Sequence, residues 1–184
     1  LGRLSLPILA ILVSSPFFFF FSSAVEELSG GVRYDDASVE ANLNNGDYDA
    51  AISLLQRRVK ESGKGQTIKE AYLHTALMES LLWQGRISEA QNEAKKTQVL
   101  VDTVVAQARG QADQINALEL KTRFLDTLSW IYEALSQDVK SQAALDEAIK
   151  LLREQRELDR QTWRLIDCLA HKASLVAQSG DNDQ

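Results

Sequence analysis

The chain has 184 residues, a formal charge of −6 at pH 7 and a single cysteine, Cys168. One thiol excludes an internal disulfide framework, and the acidic balance argues against nucleic-acid binding, which needs a concentrated basic face to neutralise phosphates. Basic residues are scattered instead, as at Arg57-Arg58 and Lys95-Lys96, in the manner of solvated helix faces.

In chain order the first feature is Leu4 to Ala24, a stretch without charge. At about 1.5 Å per helical residue it spans roughly 30 Å, one hydrocarbon thickness. Ile8, Leu12 and the run Phe17, Phe18, Phe19, Phe20 and Phe21 suit lipid contact or packing against other transmembrane helices. Pro7 lies near the start of the segment, and membrane helices tolerate proline where the freed carbonyls find other partners. Two readings stay open for residues 1–24: an uncleaved transmembrane anchor, or an export signal with Arg3 ahead of the apolar run and Ser22-Ser23-Ala24 as a cleavage site. Both keep Arg3 on the cytoplasmic side and send Glu26-Glu27 and the remainder across, to a bacterial periplasm or a thylakoid lumen.

Residues 25–34, with Gly30-Gly31, read as a flexible tether. Proline is absent after Pro16 and the chain becomes rich in Ala, Leu, Gln and Glu, which predicts an all-α domain over 35–178. Turn residues place the helices. Asn44-Asn45-Gly46-Asp47 closes a weak first helix; the next runs from Tyr48 to about Glu61 and stops at Gly63-Lys64-Gly65; a third runs from about Ile68 to Gly85; Gly110 ends the one after. A last helix over Asp159 to Gln178, with Trp163, Leu165, Ile166, Leu169 and Leu175, is expected to cap the domain with a more polar outer side, and 179–184 reads as a disordered tail.

A phrase recurs along this domain. Gly46-Asp47-Tyr48-Asp49-Ala50-Ala51 leads to Leu55, Gly85-Arg86-Ile87-Ser88-Glu89-Ala90 leads to Ala94, and Ser136 leads through Ser141 to Leu145 and Ala148. With Leu128-Ser129 and Tyr132 ahead of the third copy, and Leu77 and Leu81 ahead of the second, the region from about Asp35 to Gln155 resembles a tetratricopeptide repeat array. The first copy departs from the family at Asn42 and Arg58, and no repeat ends in proline. The resemblance implies an α-solenoid of about three antiparallel helical hairpins with a C-terminal capping helix. Small residues at Ala51, Ala90 and Ser141 would then let paired helices approach, while Leu55, Tyr132 and Leu145 fill the grooves beside them.

The copies are unevenly spaced. Ala51 to Ala90 is 39 residues and Ala90 to Ser141 is 51, against a family period of about 34. The loop over 62–67 absorbs the first excess. The second falls where Val101, Val105, Ala108, Ala112 and Ile115 recur at helical steps, which predicts an extended hairpin over 98–123 whose apolar faces close on each other or meet a partner.

The resemblance also implies a concave partner-binding surface on the first helix of each pair, made of Tyr72, Thr75, Glu79, Trp83, Arg123, Asp126, Trp130 and Glu133. Trp83 and Trp130 are the candidate anchors, because aromatic residues dominate interface energetics; packing of both against neighbouring helices is the alternative. Cys168 and His171 form C-x-x-H, but two ligands on one helix do not make a structural zinc site, so a buried thiol beside a satisfied histidine is expected and no metal. Glu147, Glu154 and Asp159 lie among Lys150, Arg153 and Arg156 at spacings that suit exposed ion pairs. No nucleophile-elbow, Walker or dinucleotide glycine pattern occurs, so neither catalysis nor a cofactor is expected. The expectation is a non-catalytic scaffold: an accessory or assembly subunit of a larger membrane complex, with protein partners and a lipid bilayer at residues 4–24. The alternative is a soluble exported chaperone or adaptor that binds peptides after signal cleavage.

Overall fold

The structure is a computed structural model, and it describes residues 37–62, 67–154 and 162–180. They form seven helices and no strand: α1 (Ala37–Asn44), α2 (Tyr48–Glu61), α3 (Thr67–Trp83), α4 (Ile87–Gln107), α5 (Gly110–Ala134), α6 (Asp138–Glu154) and α7 (Thr162–Gly180). The expected membrane segment 4–24 and tether 25–34 lie outside the described residues. Among those described, no helix is long and apolar enough to cross a membrane. Each helix packs on the next in sequence, and α3 also packs on α5.

Three turns are built alike. Gly46 N–H donates to the Leu43 carbonyl at 3.0 Å and Asp47 N–H to Asn42 at 2.8 Å; Gly85 and Arg86 repeat this on Leu82 and Leu81, both at 2.9 Å; Ser136 and Gln137 repeat it on Glu133 and Tyr132, both at 2.8 Å. This paired bond satisfies the last carbonyls of a helix and requires a left-handed residue at its centre. The φ angles are 74° at Gly46, 77° at Gly85 and 54° at Ser136. Glycine adopts that conformation without steric cost, whereas the Cβ of Ser136 does not. Asp47 adds an N-cap to α2 by accepting from the Ala50 N–H at 3.1 Å.

After each of these turns the returning helix crosses its partner through a small residue with no exposed surface: Ala51, Ala90 and Ser141 are each at 0%. Leu55 and Leu145, also at 0%, fill the space beside them. The three copies of the sequence phrase are therefore three copies of one turn and one close crossing. The third is the poorest chemically, because the Ser141 hydroxyl is buried without a hydrogen-bond partner among the described residues.

The uneven spacing has a direct outcome. α4 and α5, with 21 and 25 residues, are the longest described helices, joined through Ala108 and Arg109 in extended conformation. Val101, Val104, Ala117 and Leu120 from these arms are buried in the common core, with Val105 and Ala108 half-buried against it. Ile115 is half-buried, and Ala112, close to the tip, is exposed. Most of the hairpin's apolar stripe is thus consumed inside the fold. Gly110, at φ 77°, opens α5 instead of ending α4.

α7 packs on α6 and buries little: Cys168, His171 and Leu175 among its described side chains. It continues helical through Gly180, past the start of the expected tail at 179. Its exposed residues are mixed: Ile166, Leu169 and Val176, at 59%, 40% and 52%, stand among Asp167, Ser174 and Gln178.

Candidate functional site

The eight residues assigned to a concave surface come from α3 and α5, and the structure divides them. Thr75 is wholly buried and turns its hydroxyl back to the Ala71 carbonyl at 2.8 Å. Tyr72 is also buried, with its hydroxyl 3.5 Å from the Asn116 carbonyl of α5. Both belong to the packing between helices. The resemblance put them on an open concave surface, but α5 packs on α3 there.

Glu79 and Arg123 join α3 to α5. The Arg123 Nε and Nη2 donate to the two Glu79 carboxylate oxygens at 2.7 and 2.5 Å, and the Thr127 hydroxyl adds a third bond at 3.1 Å. This bidentate geometry is the strongest form of ion pair for these groups. The Glu79 charge holds the Arg123 guanidinium above its ordinary range. Arg164 of α7 lies in the same field, with Nη2 3.8 Å from Glu119 of α5. Burial, and then the like charge of Arg123, push Arg164 below its ordinary range.

One to three turns further along α5, Asp126, Trp130 and Glu133 meet α7. The imidazole of His171 stacks on the Trp130 ring, with centroids 3.5 Å apart and planes 12° from parallel. Its Nε2 lies 2.7 Å from Glu133 Oε2, and its Nδ1 lies 3.3 Å from Ser129 Oγ and 4.0 Å from Asp126 Oδ1. The Cys168 thiol donates weakly to the same Asp126 oxygen at 3.9 Å. Burial, with Asp126 next, pushes that thiol up to about 12, so it is neither a nucleophile nor a thiolate ligand at neutral pH. No group of side chains among the described residues could hold a metal ion.

Trp83, in the last turn of α3, sits 6.4 Å from Trp130 at a tilt of 48° and is 39% exposed. The ladder Trp83, Trp130, His171 therefore runs across three helices, from an accessible ring to a covered one. Sequence reasoning paired Cys168 with His171 by spacing and did not place α7 against Asp126, Trp130 and Glu133. Arg164 was missed as well. Only its position two turns ahead of His171 on one helix hinted that the same face would meet α5.

No protein family, curated protein or solved structure matches the chain.

Proposed function

We propose that this chain is a non-catalytic scaffold of tetratricopeptide type: three helical hairpins, α1–α2, α3–α4 and α5–α6, with α7 as the terminal helix of an α-solenoid. In this reading it serves as an accessory or assembly subunit of a larger membrane complex. Residues 4–24 anchor it, and the domain stands on the exported side, where anchoring raises the effective concentration of its partners. The observation that carries the interaction role is Trp83. A tryptophan 39% exposed beside a second one, on a rigid helical frame, is the residue type and setting of an interface anchor. Ile166, Leu169 and Val176 of α7 are exposed large apolar side chains of the kind that partners cover.

The test is purification of the full chain from its native membrane in mild detergent, with companions identified for the parent and for Trp83→Ala. The expected result is a defined set of subunits that the substitution depletes at least about tenfold, the effect of an anchor contributing about 1.4 kcal/mol or more. Companions retained equally by Trp83→Ala would remove the anchor role, and recovery of a lone monomer would overturn the scaffold reading.

A further inference from the structure

The contacts of His171 suit a cation. The Ser129 hydroxyl has one proton, and it is committed to the Asp126 carbonyl at 2.6 Å. Toward His171 Nδ1, at 3.3 Å, Ser129 Oγ can therefore only accept. Toward Nε2, the Glu133 carboxylate at 2.7 Å can also only accept. When the ring is charged both nitrogens donate, Nε2 to Glu133 and Nδ1 toward Ser129 Oγ, so the imidazolium satisfies both contacts at once. The flat face of that ring lies on Trp130, whose π-system favours a cation.

The charged groups around it agree. From α5, Asp126 and Glu133 face the ring, and the Arg123 charge is taken up by Glu79. From α6, Asp146 reaches α7 but is occupied by Lys172. On α7 itself, Asp167 and Cys168 lie within one turn, and Arg164 is directed to Glu119. Burial opposes the charge on His171, but hydrogen bonds and fields from Asp126 and Glu133 outweigh it and raise its pKa above the ordinary value.

We propose that His171 is a proton-operated latch: its imidazolium pins α7 across α5, and loss of the proton loosens α7 and uncovers Asp126, Trp130 and Glu133. A neutral ring leaves Nδ1 and Ser129 Oγ presenting lone pairs to one another and removes the charge from between two carboxylates. Among the described side chains of that helix only Cys168 and Leu175 are buried beside His171, with Leu165 half-buried and Arg164 and Lys172 paired to Glu119 and Asp146. That thin apolar hold gives one titrating group leverage over a whole helix. The latch stands without the scaffold reading; that it controls partner access rests on that reading.

The test uses the full chain in mild detergent without any partner, labelled with ¹⁵N-histidine, together with hydrogen exchange expressed as protection relative to intrinsic rates. Near pH 6 both His171 ring nitrogens are expected to be protonated. Between about pH 6 and pH 9 the protection of α7 amides should fall about tenfold relative to α3 amides, the order of effect of losing a hydrogen bond to a charged group. In His171→Gln, α7 should be loose throughout and its protection independent of pH. Should that variant not fold, Glu133→Gln should move the transition to lower pH. A neutral imidazole near pH 6, flat α7 protection in the parent chain, or an unmoved transition in Glu133→Gln would each overturn the latch. A chain that captures no companions yet loosens α7 with rising pH would keep the latch and lose the scaffold.

Discussion

The chain's two histidines are both buried against a carboxylate, in settings that differ in one respect. His74 of α3 meets Glu93 of α4 inside a hairpin, and Lys96 closes on the same carboxylate at 2.9 Å. Around it every residue from Ala71 to Met78 is buried. His171 meets Glu133 from the last helix, with two other buried residues among the described side chains of its own element. A histidine–carboxylate pair inside a packed hairpin is a structural fastening, because breaking it does not free any element to move. The same pair at the edge of a thinly held helix becomes a control point. Local chemistry is shared, and the surrounding apolar burial decides the role.

The largest expected effect tests that difference of burial directly. Leu73→Ala in α3, at 1% exposure, should cost about 3 kcal/mol in urea unfolding of the whole domain, the usual range for a closed core site. Leu175→Ala in α7, at 3% exposure, should lower amide protection in α7 while leaving the global transition nearly unmoved. If both substitutions lower the global transition equally, the two regions unfold as one unit and the contrast fails.

Next in size is Glu79→Gln. It removes the anion shared by Arg123 and Arg164, two guanidinium groups from different helices, and should cost about 2 kcal/mol because the Arg123 charge is left partly buried. Exposure at 35% of the Arg123 side chain keeps the figure below that of a fully enclosed pair. Both regions should loosen, α3–α5 by lost bonds and α7 by repulsion between the two cations. Thermal unfolding together with amide exchange in α7 separates the two parts.

The pH dependence should have opposite signs in the two regions. Burial raises the Glu93 pKa, but hydrogen bonds from His74 and Lys96 outweigh it, and the folded value is depressed. Its contribution is present above the ordinary carboxylate pKa and is lost as pH falls through the folded value, so this carboxylate's hold on the α3–α4 hairpin should weaken at the acid end. The folded value of His171 is raised, so its contribution is complete below about 6.5 and is lost as pH rises through the folded value. Exchange protection of the two helices against pH should therefore cross. Glu93→Gln should abolish the acid-side loss in α3 and leave α7 unchanged.

The smallest effects concern the second and third copies of the turn and crossing. Ser141→Ala removes a buried hydroxyl without a partner and should stabilise by about 1 kcal/mol. Ser136→Gly relieves a left-handed φ of 54° at some cost in unfolded-state entropy, and should gain about 0.5 kcal/mol. Gly85→Ala, in open space but at φ 77°, should lose about 1 kcal/mol for backbone reasons alone. Midpoints of chemical denaturation report all three.

Much of the fold was legible because its signals are local. Gly46 and Gly85 stop helices by their own backbone freedom, and the limits read for the helix after Gly46, Tyr48 to Glu61, are those of α2. The equivalence of Ser136 with those glycines also came from spacing, and the matching hydrogen bonds bear it out. The lengthened hairpin followed from counting residues between copies, because a helix can absorb residues where no loop is available. The candidate surface was legible only in part. The resemblance put Tyr72, Thr75 and Glu79 on one surface of α3, but it does not say which portion of that surface a neighbouring helix covers. Thr75 is lost to the interior, while Trp83, one turn beyond Glu79, is 39% exposed.

Residue order alone determined the helices, the three turns, the close crossings at Ala51, Ala90 and Ser141, and the extra length of α4 and α5. These depend on propensity and spacing along the chain, which are properties of neighbours in sequence. Tertiary structure alone decided that Arg123 clasps Glu79, 44 positions away, and that His171 lies on Trp130 between Ser129 and Glu133. Such contacts depend on the angle and register at which one helix lies on another, and those are settled by the summed packing of many side chains, a quantity no single stretch of residues contains.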